Sequence, residues 1–495
     1  MKYEIKFKET KKRKFPKENF TYVRLFEKEN FAEIFDELNF SVKKSQIKKI
    51  EKSDKKEIRF NPSENFGSLY ILKKIEREKI DDDFFRDFLA SVIIDADETL
   101  ENLIIEFPFE ADFITEIFGD FENYFQSITE GILLGNYTFD KYKSEKKSAA
   151  KLDVTFINGG KQNLKKIIAR TEKIIGAVYY ARDFVNEPAN TLTTQEFAKR
   201  VKKLFKGTAV KVQILNEEQL RKKKMTAILS VGQASVNPPL LIKLSYKGRK
   251  PKEKIALVGK GVMYDAGGLS IKPTSGMLDM KGDMAGAATV VGILKAVSDL
   301  ELPYEIYGVI PVVENVISGN AYKPGDIIKT SSGKTIEIGN TDAEGRLILA
   351  DALEFAEKLN PNKILDFATL TGACLVALGQ SYAGVFTKDD ALAESVSRAA
   401  KITSEYVWRL PLPEKYLELL KSDLADISNV GSTRWGGSIT AALFLKFFLS
   451  EEIQKNWAHF DIAGPAFKHS QASYTKKYAT GYGVRLITNW LMNLA

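Results

Sequence analysis

Residues 255–268 read IALVGKGVMYDAGG. A short apolar run closed by glycines and charged residues is what a strand buried on both faces looks like. The run does not stand alone. Beyond it come a helical stretch at 285–297, an apolar run at 306–313, a short strand at 336–338, a helical stretch at 346–358 and an apolar run at 364–367. Strands alternating with helices predict an α/β protein built from βαβ units, with a mixed, largely parallel sheet flanked by helices. In such a sheet ligands bind outside the carboxyl ends of the strands. The residues that follow each strand are therefore the ones to read for chemistry.

Upstream, Ile167, Ile168, Ile174, Ile175 and Val178 recur at helical spacing, which predicts a helix over 163–185. The first 140 residues have another texture. Strand-like runs at 69–72 and 103–107 are mixed with amphipathic helical stretches over 112–128. A lysine-rich run at 141–148 and the turn signal Asn158-Gly159-Gly160 place a boundary near residue 160. The expected organisation is a smaller α/β domain over 1–160 and a larger domain over 161–495 that carries the chemistry.

Composition narrows the classes. The chain has 495 residues, 44% hydrophobic and 28% charged, enough for a large core. No apolar run approaches the ~18 residues of a membrane span; residues 441–449 come nearest and are broken by Lys446. The opening lysines and glutamates leave no apolar stretch for a secretory signal. A lone cysteine, Cys374, allows no internal disulfide and suits a reducing compartment, here the cytoplasm. The net charge of +8 is uneven: residues 81–140 are acidic, with Arg86 their only basic group. The lysines are not gathered with stacking aromatics, so a solvated surface explains them better than nucleic-acid binding.

Histidine is scarce. His459 and His469 are the only two, so a three-histidine metal site is impossible within one chain, and HExxH is absent. A metal site would have to be made of carboxylates, carbonyl oxygens or some less usual ligand, which suits Mg, Mn or a carboxylate-bound Zn.

Carboxylates do gather where the strands end. The run at 255–258 leads to Lys260, Asp265 and the paired Gly267-Gly268; the run at 336–338 leads to Asp342 and Glu344; Lys272 and Asp283 lie between them. On extended backbone, Asp342 and Glu344 would face the same way. Bare carboxylates repel, and divalent cations relieve that repulsion; four carboxylates can hold two ions about 3.5–4 Å apart. Asp and Glu ahead of a helix also serve as N-caps and dipole partners, and the spacing alone leaves that alternative open. Other chemistries fail on spacing. The third glycine of GxGxxG would fall at Tyr264, no GxxxxGK[ST] occurs, and 379–384 departs from GxSxG. Cys374 lies in an apolar stretch without a base, and His459 reads as structural.

The octapeptide NTDAEGRL at 340–347 resembles the signature of the leucyl aminopeptidase, or cytosol aminopeptidase, family. VGKGVMYDAGGLSIKP at 258–273, MKGDMAGAA at 280–288, ATLTGAC at 368–374, RDFVNEPANTLT at 182–193 and HFDIAGPA at 459–466 resemble further family segments, in the family's order. The resemblance spans 165–490, and is weak before residue 160. Ala266 stands where the family often has serine or threonine, and Met263 also departs; neither change removes a ligand.

The resemblance implies a metalloaminopeptidase with two divalent ions, Zn or Mn, with Co or Mg as alternatives. Asp265 and Glu344 would bridge them. Asp342, through carboxylate and backbone carbonyl, would complete the more exchangeable site, and Lys260 and Asp283 the other. Lys272 and Arg346 would be the catalytic residues, with Met280, Asn340, Thr369 and Gly372 around the substrate. It also implies a bicarbonate held by Arg346 and a homohexamer built as a dimer of trimers. The chemistry is coherent. Lys260 ligates only when neutral, which neighbouring dications make possible despite a free pKa of ~10.4. Metal-activated water is a nucleophile at neutral pH. Charged Lys272 suits the developing oxyanion, and the guanidinium of Arg346, always protonated, suits a planar carbonate. The expected reaction is release of N-terminal residues, with leucine-type preference, from peptides with a free N-terminus. Cleavage of dipeptides such as cysteinylglycine is an alternative, as is an added DNA-binding role of the basic first 80 residues.

Overall fold

The computed structural model describes residues 1–27, 31–38, 57–61, 68–108, 111–145, 148–157, 163–470, 474–475 and 477–494. The chain divides into two compact units, Met1–Glu172 and Lys173–Ala495, the division falling inside the helix Leu164–Asn186. The turn signal Asn158-Gly159-Gly160 lies outside the described residues.

In the first unit a six-stranded sheet runs in the order Tyr3–Thr10, Ala150–Ile157, Asn102–Glu106, Phe20–Phe26, Ser68–Lys74, Glu57–Phe60. All neighbours are parallel except the last pair. The helical pattern expected over 112–128 forms two helices, Asp112–Phe118 and Phe121–Gly135. Gly119, at φ 78°, ends the first in a conformation costly for other residues, and the Asp120 side chain accepts from the Asn123 N–H to cap the second. The apolar periodicity continues across this break, which is why it hides the corner.

The second unit is built on a nine-stranded sheet. Its order is Val407–Arg409, Ala383–Thr387, Trp457–Asp461, Lys363–Ala368, Lys254–Gly259, Glu305–Asn315, Leu240–Lys247, Lys211–Leu215, and Gly261–Asp265 pairs with the end of Glu305–Asn315. The four central strands are parallel. Ala383–Thr387 and Leu240–Lys247 border them antiparallel. From Lys254–Gly259 the chain crosses through the helix Ala285–Asp299 to the strand on one side. It returns through the helix Glu344–Glu357 to the strand on the other. The carboxyl end of Lys254–Gly259 is thus a topological switch point, where open α/β sheets form a crevice.

Both faces of the sheet are covered. Ala256, Val258 and Ile364 share one core with Leu347, Ile348 and Leu353 of the helix Glu344–Glu357. The helix Ala285–Asp299 packs against the same strands from the other face. It comes very close: a Cβ added at Gly286 would stand 2.0 Å from the Phe367 carbonyl oxygen. The short strand expected at 336–338 forms as Thr335–Glu337, but not in the main sheet. It sits in a three-stranded sheet between Ile327–Lys329 and Ile427–Ser428.

Candidate metal centre

Five charged residues converge at the switch point, each delivered by a different local device. Lys260 follows Lys254–Gly259 directly, and Asp265 ends Gly261–Asp265. Asp283 follows the short 3-10 turn Met280–Gly282, just ahead of the helix Ala285–Asp299. Asp342 lies on a turn, and Glu344 is the first residue of the helix Glu344–Glu357. The extended backbone expected at 342–344 is therefore absent; turn and helix start bring the two carboxylates together instead. Neither is the N-cap, which is Ala343 without a side-chain bond. Oxygens of Asp265, Asp342 and Glu344 lie within 4.8 Å of one another.

Two lysines stand among these carboxylates. The Lys260 Nζ is 2.9 Å from Asp283 Oδ2 and 2.9 Å from Glu344 Oε1, and donates to the Thr369 carbonyl at 3.0 Å. Glycine at 345 makes room for it, since a Cβ there would stand 2.7 Å from Nζ. The Lys272 Nζ is 2.8 Å from Asp265 Oδ2 and 2.6 Å from Asp342 Oδ1. Burial works against the charge on both lysines, but the facing carboxylates outweigh it and hold both above the usual lysine range. Burial pushes the Asp283, Asp342 and Glu344 carboxyls upward, and the carboxylates around them add to it. Burial lowers Arg346 to about 10, which leaves it charged at neutral pH.

The donor set fits divalent cations. Glu344 Oε2 is buried with no hydrogen-bond partner among the described residues. Asp283 Oδ2 and Asp342 Oδ1 are buried too, and face only the Lys260 and Lys272 ammonium groups, 2.9 and 2.6 Å away. Buried carboxylate oxygens left in this state are costly, and cation coordination would satisfy them. No histidine takes part. His459 lies inside the strand Trp457–Asp461, fully buried, with Nδ1 2.5 Å from Asp366 Oδ1. Trp457 donates to the other Asp366 oxygen, so the histidine belongs to a core network. Cys374 is buried and pushed up to about 12 by that burial, which makes it a poor nucleophile.

The remaining sequence candidates border the cluster to different degrees. Thr369 touches it twice, through its carbonyl to Lys260 and its hydroxyl to Asp283 Oδ1 at 2.7 Å. The Asn340 side chain accepts from the Asp342 N–H at 2.8 Å. Met280 opens the turn that ends at Asp283. Gly372 starts the helix Gly372–Leu378 after the Thr369 loop, exposed, and touches none of the charged groups through a hydrogen bond. Arg346 donates from Nη1 to the Asn429 carbonyl at 2.8 Å, while its Nε is buried without a partner.

Three buried residues supporting the site escape a reading of the sequence. Asn315 bonds Asp265; Asn429 accepts from the Gly339 and Asn340 N–H groups; Asp461 accepts from Leu370 and Thr371. The signal that could have found them is a polar residue ending an apolar strand, as Asn315 and Asp461 do.

A family model described as cytosol aminopeptidase family, catalytic domain, matches residues 179–488. A probable cytosol aminopeptidase of Aquifex aeolicus is 42% identical over 434 residues, 86% of this chain and 85% of that protein. One of Persephonella marina is 45% identical over 376 residues, 74% of each. Among solved structures, a mutant of tomato leucine aminopeptidase superposes with a TM-score of 0.86 at 31% identity, covering 99% of this chain and 97% of the other. The cytosol aminopeptidase of Coxiella burnetii gives 0.81 at 32% identity and 98% of both chains. The bottromycin maturation enzyme BotP in complex with Mn gives 0.82 at 29% identity, covering 96% of this chain and 99% of that one.

Proposed function

Because the chain belongs to the cytosol aminopeptidase family, and is an aminopeptidase, we propose that its carboxylate–lysine cluster holds two divalent ions and that it prefers leucine-type N-terminal residues. The observation that carries the two-ion reading is the convergence of Asp265, Asp283, Asp342 and Glu344 around Lys260, with buried carboxylate oxygens left without hydrogen bonds. Asp265 and Glu344 would contribute to both ion sites, Asp342 to one, and Lys260 and Asp283 to the other. The ions are Zn or Mn, with Co or Mg able to substitute.

When bound, such ions supply Lewis acidity and make water nucleophilic at neutral pH. The chain's own groups do the rest. Lys260 must give up a proton to ligate, so loading releases protons and is favoured by rising pH. Lys272 keeps its charge and stabilises the oxyanion that develops on the scissile carbonyl. Arg346 is anchored by one nitrogen to Asn429, and its unpartnered Nε would hold a planar anion such as bicarbonate, which would supply a proton acceptor and donor near the leaving amine. Met280, Asn340, Thr369 and Gly372 border the substrate. The enzyme works in the cytoplasm as a homohexamer; among the described residues no helix is long and apolar enough to cross a membrane.

The test is hydrolysis of a panel of aminoacyl chromogenic substrates by metal-stripped enzyme reloaded with Zn, Mn, Co or Mg, with bound metal counted. Two ions per chain and fastest release of leucine are expected. Full activity in the stripped enzyme, or one ion per chain at full activity, overturns the two-ion reading.

A further inference from the structure

Asp265 has two oxygens, and only one of them faces the charged cluster. Oδ2 is the oxygen beside Lys272. Oδ1 is turned away and held: it accepts from the Gly267 N–H at 2.9 Å and from Asn315 Nδ2 at 2.8 Å. Asn315 is fully buried at the end of the strand Glu305–Asn315, directly opposite Asp265 in register. The same Nδ2 donates to the Thr341 carbonyl at 3.0 Å, next to Asp342. The Asn315 backbone carbonyl accepts from the Ala266 N–H at 2.8 Å. Both Nδ2 partners are acceptors, so the amide can stand only this way round. The Thr341 carbonyl takes a second donor from the Tyr322 hydroxyl at 2.6 Å.

We infer that Asn315 is a positioning residue of the metal centre: one amide group clamps the outer oxygen of Asp265 and the backbone of the turn carrying Asp342, aiming both carboxylates at the ions. The inference rests on the two-ion reading above. A free aspartate rotates about its last torsion, which is broad and twofold. Tying one oxygen removes that freedom and pre-aims the other. Partners that orient ligands in this way typically contribute 10–100-fold in metal affinity. Aspartate at 315 would have the right size and the wrong chemistry. It offers no donor at neutral pH and adds a carboxylate to an acidic cluster.

The experiment is calorimetric titration of metal-stripped wild-type enzyme, Asn315→Ala, Asn315→Asp and Tyr322→Phe with Mn, followed by kinetics at limiting and saturating Mn. Both Asn315 variants are expected to bind Mn on the order of 10–100-fold more weakly. At saturating Mn they keep two ions per chain and recover most of kcat. Tyr322→Phe leaves Asp265 clamped and should change affinity less. Circular dichroism checks folding, and Asn315→Ser, which keeps a hydroxyl donor, replaces any variant that does not fold and is expected to fall between wild type and alanine. Wild-type affinity in the folded Asn315 variants overturns the role of Asn315 alone. A wild-type enzyme that takes up no divalent ion overturns the two-ion reading as well.

Discussion

Lys272 and Arg346 are both cationic, but the proposed mechanism gives them different tasks. Lys272 contacts Asp265 and Asp342 and stays partly accessible, as contact with a substrate carbonyl would require. Its charge matters most once negative charge builds on the reacting oxygen, so Lys272→Ala should lower kcat far more than it raises KM. The loss of one such donor is worth on the order of 10²–10³ in rate. On the proposed mechanism Arg346 would act through a captured anion, for which another base can substitute. Arg346→Ala should therefore cost less and abolish any stimulation by added bicarbonate. Steady-state kinetics with metal content measured in each variant decides; wild-type kcat in both at full occupancy rejects the mechanism. Asp342→Asn tests the cluster itself. The amide keeps the size and removes the charge, so metal retention and activity should fall together. Two tightly held ions and full activity in that variant would remove Asp342 from the ligand set.

At the scale of elements, one helix caps another across the core. Asp351, on the helix Glu344–Glu357, accepts from the Ile228 N–H in the first turn of Thr226–Gly232 and from the Ser331 N–H, both at 3.1 Å. Burial nevertheless pushes its carboxyl up to about 7. The unfolded value is ~3.9, so the folded chain binds this proton more tightly. Its contribution to stability is full below about pH 4 and is lost as pH rises through about 7. The thermal midpoint of Asp351→Asn should therefore decline less steeply than wild type between pH 4 and 7; parallel curves would reject the assignment. The strands around the switch point were legible because each is an apolar run closed by glycine, charge or a polar residue. The corner at Gly119 was not, because apolar periodicity runs through it. Nor was the separation of Thr335–Glu337 from the main sheet, since its parallel partner, Ile427–Ser428, lies far along the chain. The four carboxylates were legible as acidic residues clustered after apolar runs, whereas Lys260 was singled out as a ligand only through the family resemblance. Asn315, Asn429 and Asp461 were not, because their partners are supplied by tertiary structure alone.

For the whole molecule, family membership carries the expectation of a closed homohexamer, and closed symmetry is the common outcome for soluble homo-oligomers. Light scattering should give roughly six times the 55.5 kDa chain mass; a monomer at micromolar concentration rejects it. Large apolar side chains stand at the surface of the second unit, among them Trp408, Leu424 and Val236. Burying such residues against other copies would add to the favourable term that drives association.

The strand order has a consequence for the protein's birth on the ribosome. The candidate centre is assembled from segments between Lys260 and the Thr369 loop, and that loop is held by Asp461 from the strand Trp457–Asp461. That strand is the parallel neighbour of Lys363–Ala368, which in turn borders Lys254–Gly259. A chain ending before residue 461 would lack the parallel neighbour of Lys363–Ala368 and the anchor of the Thr369 loop, although every ligand candidate would already be present. Ribosome-released chains that stop short of residue 461 are therefore expected to show no peptidase activity, so that hydrolysis would begin only once synthesis is almost finished.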